Sequence, residues 1–218
     1  MRTTRHILPL AALLLAFLPA VPAKEGVIQC ANLIYAGNKT SRCFSDAFLS
    51  AVQKQTAIAT ERRFKSVKLG SDELFQYPFV VLTGESDFRF TTKERENLKR
   101  YLTSGGFLLA SAGCSNKDWD RAFRREMKTV FGNDALKAIE MDHPVFRTVN
   151  TIKDLKLHHA GEKALLSGFT QSGKLVAIYS PHGLNDTANT EGCCCCGGNE
   201  IENAIDVNVN ILVYALLH

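Results

Sequence analysis

The chain has 218 residues, 45% hydrophobic, 9% aromatic and 22% charged. This ordinary globular composition excludes a disordered, collagenous or low-complexity chain. A formal charge of +4, from 26 basic and 22 acidic residues, is too mild to imply nucleic acid.

The N-terminus reads as a targeting segment. Arg2 and Arg5 form a basic region, Ile7 to Leu18 is largely apolar, and Val21-Pro22-Ala23 offers small residues for cleavage. The apolar run, interrupted by Pro9, falls short of the roughly 20 residues that span a bilayer. The expectation is a cleaved signal peptide over residues 1–23 and one folded domain over residues 24–218, periplasmic or secreted. An uncleaved anchor is the competing reading. No cysteine follows the cleavage site directly, which argues against a lipoprotein.

Val27 to Ile34 is the first predicted strand, and Ser45 to Gln55 a helix carrying Phe48, Leu49 and Val52. Phe64 to Leu69 alternates like a short strand. Pro78 to Thr83 (PFVVLT) is a continuous apolar run, as expected of a strand buried on both faces. Thr91 and Glu94 form a capping box that opens a helix, with Leu98, Tyr101 and Leu102 as its buried stripe. Gly105-Gly106 ends it. Gly106 to Ala112 (GFLLASA) is the next buried strand.

After Cys114, Ser115 with Asp118 gives a second capping signal. The helix behind it carries Trp119, Phe123, Met127 and Val130 at helical spacing, with Arg121, Arg124, Arg125 and Lys128 mostly on wet faces. Residues 132–170 are less regular and include His143, His158 and His159. Lys174 to Ser180 is a late strand stopped by Pro181, and Asn203 to Leu217 a closing apolar helix. Strands alternating with helices predict a three-layer α/β domain with a mostly parallel sheet.

In such sheets ligands bind beyond the carboxyl ends of the strands. Those ends carry Tyr35 to Lys39, Gly84 to Asp87, Gly113 to Ser115, and His182. Glu85, Cys114 and His182 are therefore expected to face one crevice. A cysteine between a strand and a helix N-terminus gains thiolate character from the helix dipole. His182 would be its general base and Glu85 the orienting carboxylate, with turn N–H groups as an oxyanion hole. The alternative is a small buried residue, or half of a disulfide.

Seven cysteines is an odd count, and Cys193, Cys194, Cys195 and Cys196 form one unbroken run. In an exported protein they read as disulfides to Cys43, Cys30 or Cys114, stapling the late loop to the early ones. The other reading is a metal site of Cys193 to Cys196 with Cys43, holding zinc or another thiolate-bound metal. Gly197 and Gly198 suit a tight turn under either.

The segments YPFVVLTGESDF, ENLKRYLTSGGFLLASAGCS, WDRAFRREMKTVF, DHPVF and LVAIYSPHGLND together resemble an uncharacterised bacterial family, domain of unknown function 4159. The similarity runs over roughly residues 26–218. That family is similar in turn to class I glutamine amidotransferase-like folds, which implies a flavodoxin-like sheet and an exported or membrane-linked setting. Under that resemblance Cys114 matches the nucleophile position. The amidotransferases' glycine two residues later is Asn116 here, and their His-x-Glu is absent, since Gly183 and Leu184 follow His182.

Three functions follow as expectations. The first is a binding or assembly module with a cysteine-rich site, meeting a periplasmic or membrane-associated protein. The second is a cysteine-dependent hydrolase or amidase using Cys114, His182 and Glu85. The third is a metal or thiol-redox protein centred on Cys193 to Cys196.

Overall fold

The apolar runs at residues 79–84 and 107–112 become the central strands of a mostly parallel sheet. The computed structural model describes residues 26–37, 39–40, 44, 46–158, 163–184 and 200–218. Among these residues the strands are β1 (Val27–Ile28), β2 (Cys30–Ile34), β3 (Ala59–Thr60), β4 (Lys65–Lys68), β5 (Phe79–Gly84), β6 (Phe107–Ala112), β7 (Lys137–Ala138), β8 (Ser167–Gln171) and β9 (Lys174–Ser180). The helices are α1 (Asp46–Gln55), α2 (Thr92–Thr103), α3 (Lys117–Phe131) and α4 (Ala204–Leu217). None is long and apolar enough to cross a membrane.

The main sheet has seven strands in the order β4-β2-β5-β6-β9-β8-β7. The first five are mutually parallel, and β8 returns antiparallel to β9. β1 and β3 pair separately. Helices flank both faces: α1 and α4 pack on one through Phe48, Leu49, Val52, Val207 and Ile211. On the other, α2 and α3 pack through Leu98, Tyr101, Trp119, Phe123 and Met127. Each such side chain, fully removed from water, contributes roughly 1.5–3 kcal/mol, which holds the layers together.

Local chemistry explains the element ends. Thr91 accepts from the Glu94 N–H while the Glu94 carboxylate accepts from the Thr91 N–H, as the sequence predicts. The run Val27 to Ile34 is not one strand; it breaks at Gln29 and its halves join different sheets. The cap of α3 is Asn116, not Ser115: its side chain accepts from the Trp119 N–H at 2.9 Å. Ser115 instead takes a left-handed backbone, φ 52°, which is incompatible with the extended geometry of an N-cap. The irregular region 132–170 contributes β7 and β8, an antiparallel edge missing from the expected arrangement.

Candidate functional site

Three carboxyl ends of adjacent strands meet at one edge of the sheet. Thr83 of β5 pairs in register with Ser111 of β6, and Ser111 with Ser180 of β9. The next residues along these strands lead to Glu85, Cys114 and His182, so all three expected residues emerge from neighbouring strand ends.

Cys114 and Glu85 are brought into contact. The Cys114 Sγ donates to Glu85 Oε1 at 3.5 Å, and both residues are partly exposed. Cys114 sits in a short 3-10 turn, Gly113 to Ser115, between β6 and α3, with φ 49° and ψ 32°. A left-handed backbone is costly for a residue with a Cβ and collects at functional turns. Gly113 permits the close approach: a Cβ there would lie 2.8 Å from the Gly84 carbonyl oxygen. Asn116 adds a second tie, accepting also from the Ser86 N–H at 3.1 Å. The loop carrying Glu85 is thereby fastened to the N-terminus of α3.

His182 is buried, and its backbone is held from below. Its carbonyl accepts from Ser111 Oγ at 3.4 Å, while the Leu184 N–H donates to the same hydroxyl at 2.8 Å. Asn208 Nδ2 of α4 donates to the Leu184 carbonyl at 2.8 Å. The Ile201 N–H donates to Gly183 O at 2.9 Å. Glu200 lies flush against Gly183, where any Cβ would overlap its carboxylate. Ser111, Asn208 and Glu200 are thus site neighbours that sequence reasoning missed. For Ser111 and Asn208 the signal was a polar side chain inside an apolar element, GFLLASA and NVNILV.

The first strand end is closed off. Trp119 Nε1 donates to Tyr35 Oη at 2.7 Å, and Tyr35 Oη donates to the Thr83 carbonyl at 3.2 Å. Phe88 and Phe90 pack edge-on against the Tyr35 ring. An aromatic cluster therefore fills the space between the ends of β2 and β5.

The cysteines divide sharply. Cys30 is fully buried under α1 as a free thiol, and burial pushes its pKa up to about 12. Enclosed in the α1 and α4 core, it is not available as a staple for the late loop, which corrects that expectation. No group of three or more His, Cys, Asp or Glu among the described residues is placed to hold a metal. Cys43 and Cys193 to Cys196 lie outside the described residues, as does His159. His158 Nδ1 is 3.6 Å from the Glu202 carboxylate, an exposed pairing away from Cys114 in the chain.

Comparison with known families matches residues 29–216 to the family described as Domain of unknown function (DUF4159), and the chain belongs to that family. No curated protein matches it.

Proposed function

We propose that this member of the DUF4159 family is a cysteine-dependent hydrolase acting on a carboxamide or ester, with Cys114 as nucleophile. The observation that carries this reading is the Cys114 thiol, held at φ 49° between a central strand and a helix, donating to Glu85 at 3.5 Å. A thiol is a weak nucleophile until a base takes its proton.

Glu85 accepts the thiol proton, and the thiolate attacks the substrate carbonyl carbon, forming a C–S bond. The C–N or C–O bond to the leaving group then breaks, and His182 delivers a proton to the departing nitrogen or oxygen. Water then attacks the thioester carbonyl and passes a proton back to His182; the C–S bond breaks, the thiolate recovers its proton from Glu85, and the carboxylic acid is released.

The strand order supports a flavodoxin-like, class I glutamine amidotransferase-like reading of the fold. Taken in chain order, the five parallel strands lie second, first, third, fourth, fifth across the sheet. Residues 1–23 support a periplasmic or secreted setting. A reporter fused behind them is exported; a reporter retained inside the cell sinks that part.

The test is turnover of a panel of small amides, including glutamine, and aryl esters by the mature protein. The expected result is hydrolysis that Cys114→Ala abolishes while the melting temperature holds. Turnover surviving in Cys114→Ala overturns the nucleophile. No turnover in the parent protein leaves the binding or assembly module. Metal content and thiol oxidation of Cys43 and Cys193 to Cys196 then decide between a disulfide staple and a thiolate-bound metal.

A further inference from the structure

We infer that Ser111 and Asn208 are positioning residues that set where His182 stands relative to Cys114. This rests on the hydrolase reading and adds to it two residues that act on the backbone of residues 182–184.

A hydroxyl in the centre of a sheet is costly to bury unless it is hydrogen-bonded. Ser111 is fully buried on β6, one strand in from β9. It uses its hydroxyl twice on one segment, accepting from the Leu184 N–H and donating to the His182 carbonyl. The donor and acceptor capacities of a serine are both engaged there. Ser111 also lies three residues before Cys114, so the strand that presents the nucleophile carries the anchor for the histidine.

Asn208 acts from the opposite side. It is fully buried in the second turn of the apolar helix α4, and its Nδ2 donates to the Leu184 carbonyl at 2.8 Å. The N–H and C=O of Leu184 are therefore both taken by side chains from different elements. With Gly183 O accepting from the Ile201 N–H, the segment 182–184 is fixed from the sheet, from α4 and from residue 201. Pro181 precedes this segment, so regular strand pairing does not extend through it. These side chains replace the lost ladder as the source of its register.

Misplacing a reacting group by about 1 Å costs up to about a hundredfold in rate, so a loose segment would be felt at the thiol. The experiment is the pH profile of kcat/KM for amide and aryl-ester hydrolysis by the full mature chain, in which a parent protein without turnover overturns the hydrolase reading and the inference together. It compares the parent with His182→Ala, Ser111→Ala, Ser111→Thr and Asn208→Ala, with melting temperature as the control for folding.

In the expected result, His182→Ala removes the imidazole-dependent step in the pH profile. Ser111→Ala and Asn208→Ala lower the rate through that step about tenfold, and Ser111→Thr, which keeps the hydroxyl, restores it. A parent-like profile in Ser111→Ala and Asn208→Ala, with His182→Ala altered, overturns the positioning role alone. A parent-like profile in His182→Ala overturns the role of His182 in the hydrolase reading, and the inference with it. If Ser111→Ala does not fold, Asn208→Ala decides; if neither folds, the bonds serve the fold alone and the inference is overturned.

Discussion

The Cys114 thiol lies 3.5 Å from Glu85 Oε1, bridging the ends of two strands that are paired along their whole length. The pair has opposing consequences for reactivity. The carboxylate accepts the thiol's hydrogen bond, yet while it stays charged it disfavours a thiolate whose proton has gone to solvent.

Glu85→Gln separates these effects. With the negative charge gone, Cys114 alkylates several-fold faster at neutral pH, because like-charge repulsion across a few ångströms is removed. Turnover of the amide or ester falls, because the proton acceptor is lost. Alkylation kinetics and hydrolysis measured on the same preparation check both. Equal changes in the same direction would show that the contact carries no proton.

Gly113→Ala tests the close approach of the two strand ends. Its Cβ would sit 2.8 Å from a backbone oxygen, Gly84 O, which no side-chain rotation relieves. The variant loses about 1–3 kcal/mol of stability, seen as a lower denaturant midpoint. An unchanged midpoint would mean that the turn carrying Cys114 adapts freely.

Thr83→Val probes the hydroxyl row beside Ser111. Thr83 is fully buried, and its Oγ1 has no hydrogen-bond partner among the described residues. Removing an unsatisfied hydroxyl while keeping the side chain's shape stabilises the protein by roughly 1 kcal/mol. The denaturant midpoint rises with the slope unchanged. A fall instead would reveal a partner for the hydroxyl in solution.

Cys30 predicts the alkaline limb of stability. Burial raises its pKa from 9.0 to about 12. Its contribution is fully present below about pH 9, where the thiol is neutral in both states. Between about pH 9 and 12 the unfolded chain releases the proton first, so stability falls as pH rises. Denaturant titrations of Cys30→Ala and the parent over that window give the difference; parallel curves would refute it. Native Cys30 also resists alkylation until the chain unfolds.

Much of the frame was legible in the chain. PFVVLT and GFLLASA announced strands buried on both faces, and they are central in the sheet. Thr91 and Glu94 announced the start of α2 through a local exchange of hydrogen bonds. Cys114 and Glu85 were legible as residues at strand ends, because each follows, after one glycine, a run that reads as a buried strand.

Other features were not legible, for physical reasons. SGFTQ is a short segment with one strong apolar residue, and its pairing with β9 and β7 makes it a strand. Val27 to Ile34 has no internal breaker, so its division between two sheets depends on where β3 and β5 lie. Ser111 and Asn208 are separated by most of the second half of the chain. Their common purpose appears only when both reach the backbone of residues 182–184.

The sequence by itself determined which segments must be buried and which turn carries the thiol, because periodicity, capping and glycine placement act within a few residues. Its opening composition said globular; its strand ends narrowed that to one edge of an α/β sheet. Only the tertiary structure decided that Cys114 meets Glu85, that Asn116 rather than Ser115 caps α3, and that Tyr35 with Trp119 closes the first strand end. Those outcomes depend on register and backbone angle between distant segments, which hydrogen bonding and packing settle collectively and no local pattern encodes.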